Sequence, residues 1–143
     1  VPVPPGTVSI AYSYQLMEHL HPDDAIVQVG NIYTALAPEG VYICASPNRL
    51  TGPHDISKYF ANTAEGFHLK EYTAMELVEI FRMTGFSRAR CYLATKGVVF
   101  RVPIVLIHWV ESIVDLLPQM IRAKIVKIPP LRQLLEVQVA AVK

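Results

Sequence analysis

The sequence shows no marked excess of either charge. Its 143 residues carry 13 lysines and arginines against 12 aspartates and glutamates, which gives a formal net charge of +1. A protein that binds nucleic acid through the phosphates normally presents a concentrated basic surface. Because the basic residues here are spread along the chain apart from one late cluster, the composition argues against a nucleic-acid partner.

Cysteine is equally scarce, with Cys44 and Cys91 as the two in the chain. Their spacing matches none of the paired patterns of zinc sites. A buried, reduced pair of thiols is typical of a cytosolic protein. We therefore expect free thiols, no metal site and a cytoplasmic location.

Long hydrophobic runs are absent too. The longest, residues 102–107, continues through Trp109 and Val110 but is interrupted by Glu111 and Asp115. It is too short and too charged to span a bilayer. The first residues contain three prolines and no basic segment ahead of an apolar run, so they resemble an interrupted loop rather than a secretion signal.

The chain does contain enough hydrophobic sequence for one core. Hydrophobic residues make up 52% of it, and its length suits a single domain. Short runs rich in β-branched and aromatic residues predict strands, at residues 8–14, 41–46, 87–93 and 137–142. Strands that alternate with helices indicate an α/β fold with a mostly parallel sheet.

Two predicted helices carry clear end signals. The first begins at Pro22, where two aspartates suit the positive end of the helix dipole, and it is ended by residues 38–40. The second begins with a capping box at residues 73–76 and ends at Gly85. The polar loop between the second predicted strand and the second predicted helix, residues 50–72, is long enough to suggest a functional role.

A helical insert is predicted at about residues 101–130, with a break near Pro118. Its apolar side chains are followed by a small basic cluster, Arg122, Lys124 and Lys127. A basic amphipathic stretch can lie on a membrane surface, but more often it packs against its own protein or a partner. The small size of the cluster favours packing over membrane contact.

Several segments resemble class I S-adenosylmethionine (SAM)-dependent methyltransferases. Residues 12–20, which include Glu-His-Leu, resemble the segment after the fourth strand of that family, and residues 31–41 resemble the helix end before its fifth strand. Residues 67–73 and residues 84–86 (Thr-Gly-Phe) are similar to further family features. Residues 139–143 are similar to the closing antiparallel strand.

The resemblance implies a partial Rossmann-like class I methyltransferase fold in a single domain over residues 1–143. Its sheet would be mostly parallel with an antiparallel last strand. The resemblance covers nearly the whole chain except the C-terminal helical insert. Only the C-terminal half of the family fold is covered, since the Gly-rich loop and the acidic residue that hold the cofactor have no counterpart. Ser9, Ala37 and Glu39 also depart from the family pattern.

The implied function of a complete enzyme is methyl transfer from SAM to a small-molecule acceptor, through proximity, orientation and sometimes a base. The isolated chain is expected to bind SAM weakly or not at all. The alternative is a non-catalytic interaction module or an inactive remnant. In either case the first strand of the chain would leave an open sheet edge, which a homodimer or the missing N-terminal half of the fold would cover. A third alternative is a flavodoxin-like or nucleotide-binding fold, but the sequence contains no phosphate-binding loop of the kind such folds use.

Candidate cofactor contacts follow the first strand, because ligands bind at the carboxyl ends of strands in open α/β sheets. By the resemblance, four residues border the methionine part of SAM: Tyr14, Gln15, Leu16 and Glu18. His19 is the candidate catalytic base, since imidazole exchanges protons near neutral pH. The alternative is that Glu18 and His19 form a turn that caps the following helix.

Candidate acceptor contacts follow the second strand. Asn48, Arg49 and His54 lie beyond its carboxyl end, on the same rim of the sheet. The alternative is that they belong to an ordinary solvated loop. His68 is a further candidate for acceptor binding, with the alternative that it and Glu71 hold the loop in place.

The resemblance also separates the two cysteines. In the family's sheet the last strand lies between the strands that would carry Cys44 and Cys91. Two strand spacings amount to ~9–10 Å, which is beyond the reach of a disulfide.

Overall fold

The computed structural model describes residues 3–95, 97–136 and 138–143. It contains five strands and five α-helices, which confirms the α/β fold class. The elements in chain order are β1 Val8–Tyr14, α1 Pro22–Ala35, β2 Leu36–Ala45, α2 Ala74–Thr84, β3 Arg88–Thr95, β4 Val98–Val102, α3 Ile104–Leu116, α4 Gln119–Ile125, α5 Pro129–Leu135 and β5 Gln138–Val142. Short 3-10 turns occur at Met17–His19 and Ile56–Tyr59.

The sheet has the strand order β1-β2-β5-β3-β4. The antiparallel last strand is confirmed, since β5 lies antiparallel between β2 and β3. Strands β1, β2 and β3 therefore run in one direction. Only the β1–β2 pair is parallel among the described strands, however, so the sheet has fewer parallel pairs than the sequence predicted.

Two boundaries differ from the sequence prediction. Strand β2 begins at Leu36 rather than residue 41, because residues 38–40 continue the strand through an irregular register instead of forming a turn. Residues 101 and 102, predicted as helix, complete β4, and α3 begins only after Pro103. The predicted start of the last strand at residue 137 lies outside the described residues.

The two helices with strong end signals form as predicted and cover one face of the sheet. Thr73 and Glu76 make both hydrogen bonds of the capping box of α2, and Gly85 ends that helix with a φ of 111°. Against the sheet, Phe81 packs on Tyr42, whose hydroxyl lies 2.7 Å from the Ser13 hydroxyl. This face therefore holds the main core of the domain.

Cys44 and Cys91 lie on this covered face, each paired with the same residue of β5, Val139. Both are buried and neither forms a disulfide, which confirms the expected free thiols. Two strand spacings separate them, ~9–10 Å.

The predicted helical insert packs back onto the protein. A second core cluster joins it to the loop after β2 through Leu50, Val114, Val126 and Leu135. The outer side of α3 stays exposed and apolar, as at Trp109. Within the described residues, no helix combines the length and apolar character needed to cross a membrane.

The second face of the sheet is open at the β1 side. Ile10, Tyr12 and Tyr14 occupy alternate positions of β1, so their side chains share this face, and each is at least 60% exposed. Their neighbours on β2, Val41 and Ile43, are half-buried. The open face is thus a continuous apolar and aromatic surface at one edge of the sheet.

Candidate functional site

The carboxyl ends of β1 and β2 enclose a crevice of about 310 Å³. Tyr14, the last residue of β1, and Gln15, which follows it, line one side, and Ser46 and His54 line it from the chain after β2. Gln15 has a left-handed φ of 50°, and its amide donates to the Ala45 carbonyl at 2.8 Å. Such backbone conformations are uncommon in non-glycine residues and concentrate at functional sites. The crevice therefore lies where the sequence predicted a ligand.

The turn after β1 ties two loops together. Glu18 is fully buried, and its carboxylate accepts a hydrogen bond from the Ser46 hydroxyl at 2.9 Å. Its main-chain carbonyl accepts from the amides of Leu69 and Lys70, at 2.7 and 3.3 Å. These contacts link the end of β1 to the end of β2 and to the long loop.

His19 follows Glu18 and is exposed. Its Nδ1 lies 3.0 Å from the carbonyl oxygen of Phe67. Because a carbonyl can only accept, Nδ1 carries the proton, and Nε2 of the neutral ring keeps its lone pair. The alternative that His19 caps α1 does not hold, since His21 performs that role by accepting from the Asp23 amide. The crevice lining does not include His19.

A buried carboxylate joins the two histidines of the long loop. Glu71 accepts hydrogen bonds from Nδ1 of His68 at 2.7 Å and from Nδ1 of His54 at 3.2 Å. It also accepts from the His54 amide at 2.7 Å. Burial raises the pKa of Glu71, but the hydrogen bonds from His54 and His68 outweigh it, so the pKa lies below its usual value. These contacts agree with the alternative that Glu71 and His68 hold the loop, and acceptor binding by His68 stays a prediction.

Asp55 organises the same loop, and the sequence analysis did not single it out. Its carboxylate accepts from the amides of Ser57, Gly66 and His68, at 2.9, 3.0 and 3.2 Å. Burial raises the pKa of Asp55, but these hydrogen bonds prevail and lower it to about 2. These hydrogen bonds hold the loop in shape despite its length. That length was the only feature of the sequence that pointed to a role for this segment.

Asn48 and Arg49 lie between the sheet and the insert. Asn48 is buried, and its side-chain amide donates to Glu111 at 2.8 Å and to the Leu135 carbonyl at 3.0 Å. Arg49 makes a two-point ion pair with Asp115, at 2.8 and 2.9 Å. Both side chains hold the insert in place, so acceptor binding by either stays a prediction.

A larger crevice of about 530 Å³ adjoins the first, and His54 lines both. Four cationic side chains line the larger one: Lys58, Arg122, Lys127 and Arg132. Its lining contains no carboxylate among the described residues. The sequence did not predict this basic crevice, because its residues come from segments far apart in the chain.

The predicted site residues thus fall into three places. Tyr14, Gln15 and His54 meet at the smaller crevice. His19 and His68 meet each other, with ring centroids 4.9 Å apart, beside Glu18. Asn48 and Arg49 hold the insert, and Leu16 is half-buried in the turn after β1.

No protein-family model matches the chain. A curated relative from Mycolicibacterium smegmatis, named as a probable S-adenosylmethionine-dependent methyltransferase, is 31% identical over 87 residues. The match covers 61% of this chain and 32% of the relative. The chain therefore spans about a third of the length of the curated relative it matches.

Solved structures share the fold at low sequence identity. A SAM-dependent methyltransferase from Thermotoga maritima, described as a possible histamine N-methyltransferase, aligns with a TM-score of 0.61 and 13% identity, over 100% of this chain and 59% of its own. A SAM-dependent methyltransferase from Archaeoglobus fulgidus aligns with a TM-score of 0.54 and 15% identity, over 99% of this chain and 62% of its own.

Proposed function

The chain carries part of the class I SAM-dependent methyltransferase fold, and we propose that it provides the acceptor side of an enzyme that methylates a small molecule with SAM. The observation that carries this proposal is the crevice at the carboxyl ends of the parallel pair β1 and β2. Ligands of open α/β sheets bind at such ends. SAM supplies the methyl group to be transferred.

The crevice suits part of a cofactor rather than all of it. Its volume of about 310 Å³ lies at the lower limit of small-molecule sites, which span roughly 300–1,000 Å³. Tyr14 and Gln15 offer polar groups on one wall, with Ser46 on the other. Because few groups converge here, we expect this chain alone to bind SAM weakly, with the remaining contacts supplied by the rest of the family fold.

The larger crevice would receive the acceptor. Four cationic side chains without a carboxylate favour a small molecule that carries negative charge. His54 lies between the two crevices and has its Nδ1 held by Glu71, so it would contact cofactor and acceptor together. Arg122 pairs with Asp115 at 3.3 Å and Arg132 pairs with Glu136 at 2.8 Å, which leaves Lys58 and Lys127 as the stronger anion contacts.

His19 is the proposed base for this reaction. Its Nε2 keeps a lone pair because the Phe67 carbonyl fixes the proton on Nδ1. In the transfer, the acceptor's nucleophilic atom would bond to the methyl carbon as the sulfonium–methyl bond of SAM breaks. The bonding pair would stay on the sulfur of the departing S-adenosylhomocysteine, and Nε2 would take the proton that the nucleophilic atom loses. His19 is exposed and lies outside the lining of both crevices, so the acceptor's nucleophilic atom must extend beyond the crevice to reach Nε2.

The test is methyl transfer from radiolabelled SAM, with this chain supplied together with the cofactor-binding half of the M. smegmatis relative. We expect activity that His19→Gln lowers by roughly 10²–10⁴-fold, the usual contribution of a base. His108→Gln, on the exposed side of α3, is the matched control and should leave activity unchanged. Absence of SAM binding in the combined protein would overturn the proposal. Full activity of His19→Gln would show that His19 is not the base.

A non-catalytic interaction module is the second candidate, favoured by the open face of the sheet. Ile10, Tyr12 and Tyr14 expose a large apolar and aromatic surface on β1, which is an edge strand of the described sheet. A second copy of this chain would cover it. Light scattering at increasing concentration should then show a dimer that Tyr12→Lys dissociates. A monomer at all concentrations would contradict this candidate.

A further inference from the structure

Three metal-ligand side chains converge beside the end of β1. One carboxylate oxygen of Glu18 and one ring nitrogen each of His19 and His68 all lie within 4.8 Å of one another. Glu18 and His19 belong to the turn after β1, whereas His68 comes from the long loop about fifty positions later. Backbone hydrogen bonds from Leu69 and Lys70 to the Glu18 carbonyl hold the two segments together.

The Glu18 carboxylate gives independent evidence for a missing ligand. Glu18 is fully buried, and the Ser46 hydroxyl donates to Oε2 at 2.9 Å. The other oxygen, Oε1, is buried without any hydrogen-bond partner among the described residues. A buried carboxylate oxygen without a partner is unfavourable, because desolvation is not compensated. A bound cation would satisfy it.

Both histidines are oriented as metal ligands usually are. Nδ1 of His19 donates to the Phe67 carbonyl at 3.0 Å, and Nδ1 of His68 donates to the Glu71 carboxylate at 2.7 Å. Each contact uses one ring nitrogen as donor and leaves Nε2 with a lone pair. Metal-binding histidines typically donate their second ring nitrogen to a carbonyl or carboxylate in this way, which fixes ring orientation and strengthens the ligand.

We propose that Glu18, His19 and His68 bind one divalent transition-metal ion, with Zn²⁺ as the ion that best fits two imidazoles and one carboxylate. Three protein ligands leave one coordination position open. Ligand atoms around a tetrahedral ion lie about 3.3 Å apart, and the three atoms here lie within 4.8 Å of one another, so small side-chain shifts would complete the geometry. The bound ion would lock the turn after β1 to the long loop.

This proposal replaces the sequence-based expectation of no metal site, and it does not depend on the proposed function. An ion on Nε2 of His19 would occupy the lone pair that a base needs, so the two roles of His19 exclude each other while metal is bound. The readout below is ion binding, which is separate from methyl transfer. The failure of one proposal can therefore be told from the failure of the other.

The experiment is calorimetric titration of the purified, chelator-treated chain with zinc chloride, supported by cobalt chloride and visible absorption. We expect one zinc ion per chain, a rise in melting temperature, and a visible band from protein-bound cobalt. Glu18→Gln, His19→Gln and His68→Gln should each abolish stoichiometric binding. Glu71→Gln should weaken binding by roughly 10–100-fold, as loss of a histidine-orienting partner does.

His108→Gln is the control, because His108 is exposed on α3 and lies outside the cluster. It should bind zinc as the unaltered chain does. His19→Gln keeps the test valid if the buried substitution at Glu18 prevents folding, since the His19 side chain is exposed. The proposal is overturned if the unaltered chain binds no zinc, or if folded His19→Gln titrates like His108→Gln.

Discussion

At the scale of single residues, Glu111 shows how one buried carboxylate can hold two elements in place. It accepts from the amides of Ala74 and Met75 at 2.7 and 3.1 Å, and from the Asn48 side chain at 2.8 Å. Unpaired amides and positive dipole charge at the start of a helix favour such an anion. A residue of α3 thus caps α2 and fixes the loop after β2.

Glu111→Gln should therefore destabilise the protein. The neutral side chain keeps the shape but loses charge-assisted hydrogen bonds and points an amide donor at other donors, which costs about 1.5–3 kcal/mol. Urea unfolding measures the change, with Glu79→Gln on the exposed side of α2 as the control. A difference between the two variants below about 0.5 kcal/mol, the usual range of surface substitutions, would contradict this role.

Cys91 gives a prediction about alkaline pH. Burial, and then the negative charge of Glu111, raise the pKa of Cys91 from its ordinary value to about 11. The folded protein therefore holds a proton that the unfolded chain releases near pH 9, so stability should be full below pH 9 and fall as pH rises toward 11. Burial also raises the pKa of Cys44 and Tyr42, which act in the same direction.

Urea unfolding between pH 8 and pH 11 tests this, with Cys91→Val as a variant of similar size that cannot ionise. The variant should lose less stability over that range than the unaltered chain. An identical pH profile for both would show that Cys91 does not contribute. Thiol reagents at pH 8 should in addition leave both native cysteines unmodified, since thiolates are the reactive form.

At the scale of elements, two glycines with different backbone conformations should respond in opposite directions to the same change. Gly85 ends α2 with a φ of 111°, which a side chain disfavours. Gly30 lies inside α1, and a Cβ there would meet nothing within 4 Å. Gly85→Ala should cost about 1 kcal/mol or more, whereas Gly30→Ala should stabilise by up to about 1 kcal/mol.

Thermal and urea unfolding of the two glycine variants provide the measurement. The pair controls itself, because both changes add one methyl group to a helical region. Equal effects of the same sign would show that helix-end conformation does not govern the response.

The elements also show where sequence reasoning succeeds and why it stops. The ends of α2 were predictable, because Thr73, Glu76 and Gly85 act locally and the structure keeps those local contacts. The start of β2 was not, because pairing with β1 at Leu36 and Val41 keeps the turn-like segment between them within the strand. The Lys143 amide, which follows β5, also donates to the Gly40 carbonyl at 3.0 Å. Strand β4 was missed because its run of apolar residues adjoins a helix and periodicity cannot separate them.

The candidate site was predictable only where chain order determines position. Tyr14 and Gln15 had to lie at a strand end once β1 was identified. The contacts of His19 with Phe67, and of Glu71 with His54 and His68, depend on the path of a loop that carries no periodic signal. No local rule in the sequence brings such groups together.

At the scale of the whole molecule, the two core clusters predict two levels of stability. The main cluster lies between the sheet and helices α1 and α2, whereas a smaller cluster holds the insert through Leu50, Val114, Val126 and Leu135. Helix α4 has no buried residue within its bounds. A segment with few buried contacts opens at lower free energy than the central strands.

Hydrogen exchange followed by mass spectrometry tests this. We expect amides of β2 and β5, which have neighbours on both sides, to exchange most slowly and amides of α4 most rapidly. Asn48→Ala, which removes hydrogen bonds to the insert, should accelerate exchange in α5 more than in β2. Equal protection of α4 and β5 would indicate one cooperative unit instead.

The position of β5 sets the order in which this sheet can assemble. Strands β1 and β2 form one pair and β3 and β4 form another, and among the described strands only β5 joins the two pairs by backbone ladders. Because β5 comes after the helical insert in the chain, a ribosome must release residues 138–142 before the pairs can be joined. Until then β2 and β3 each present an unpaired edge, so the nascent chain is open to wrong pairing. Its native sheet must close late, through contacts distant in sequence, which predicts slow folding.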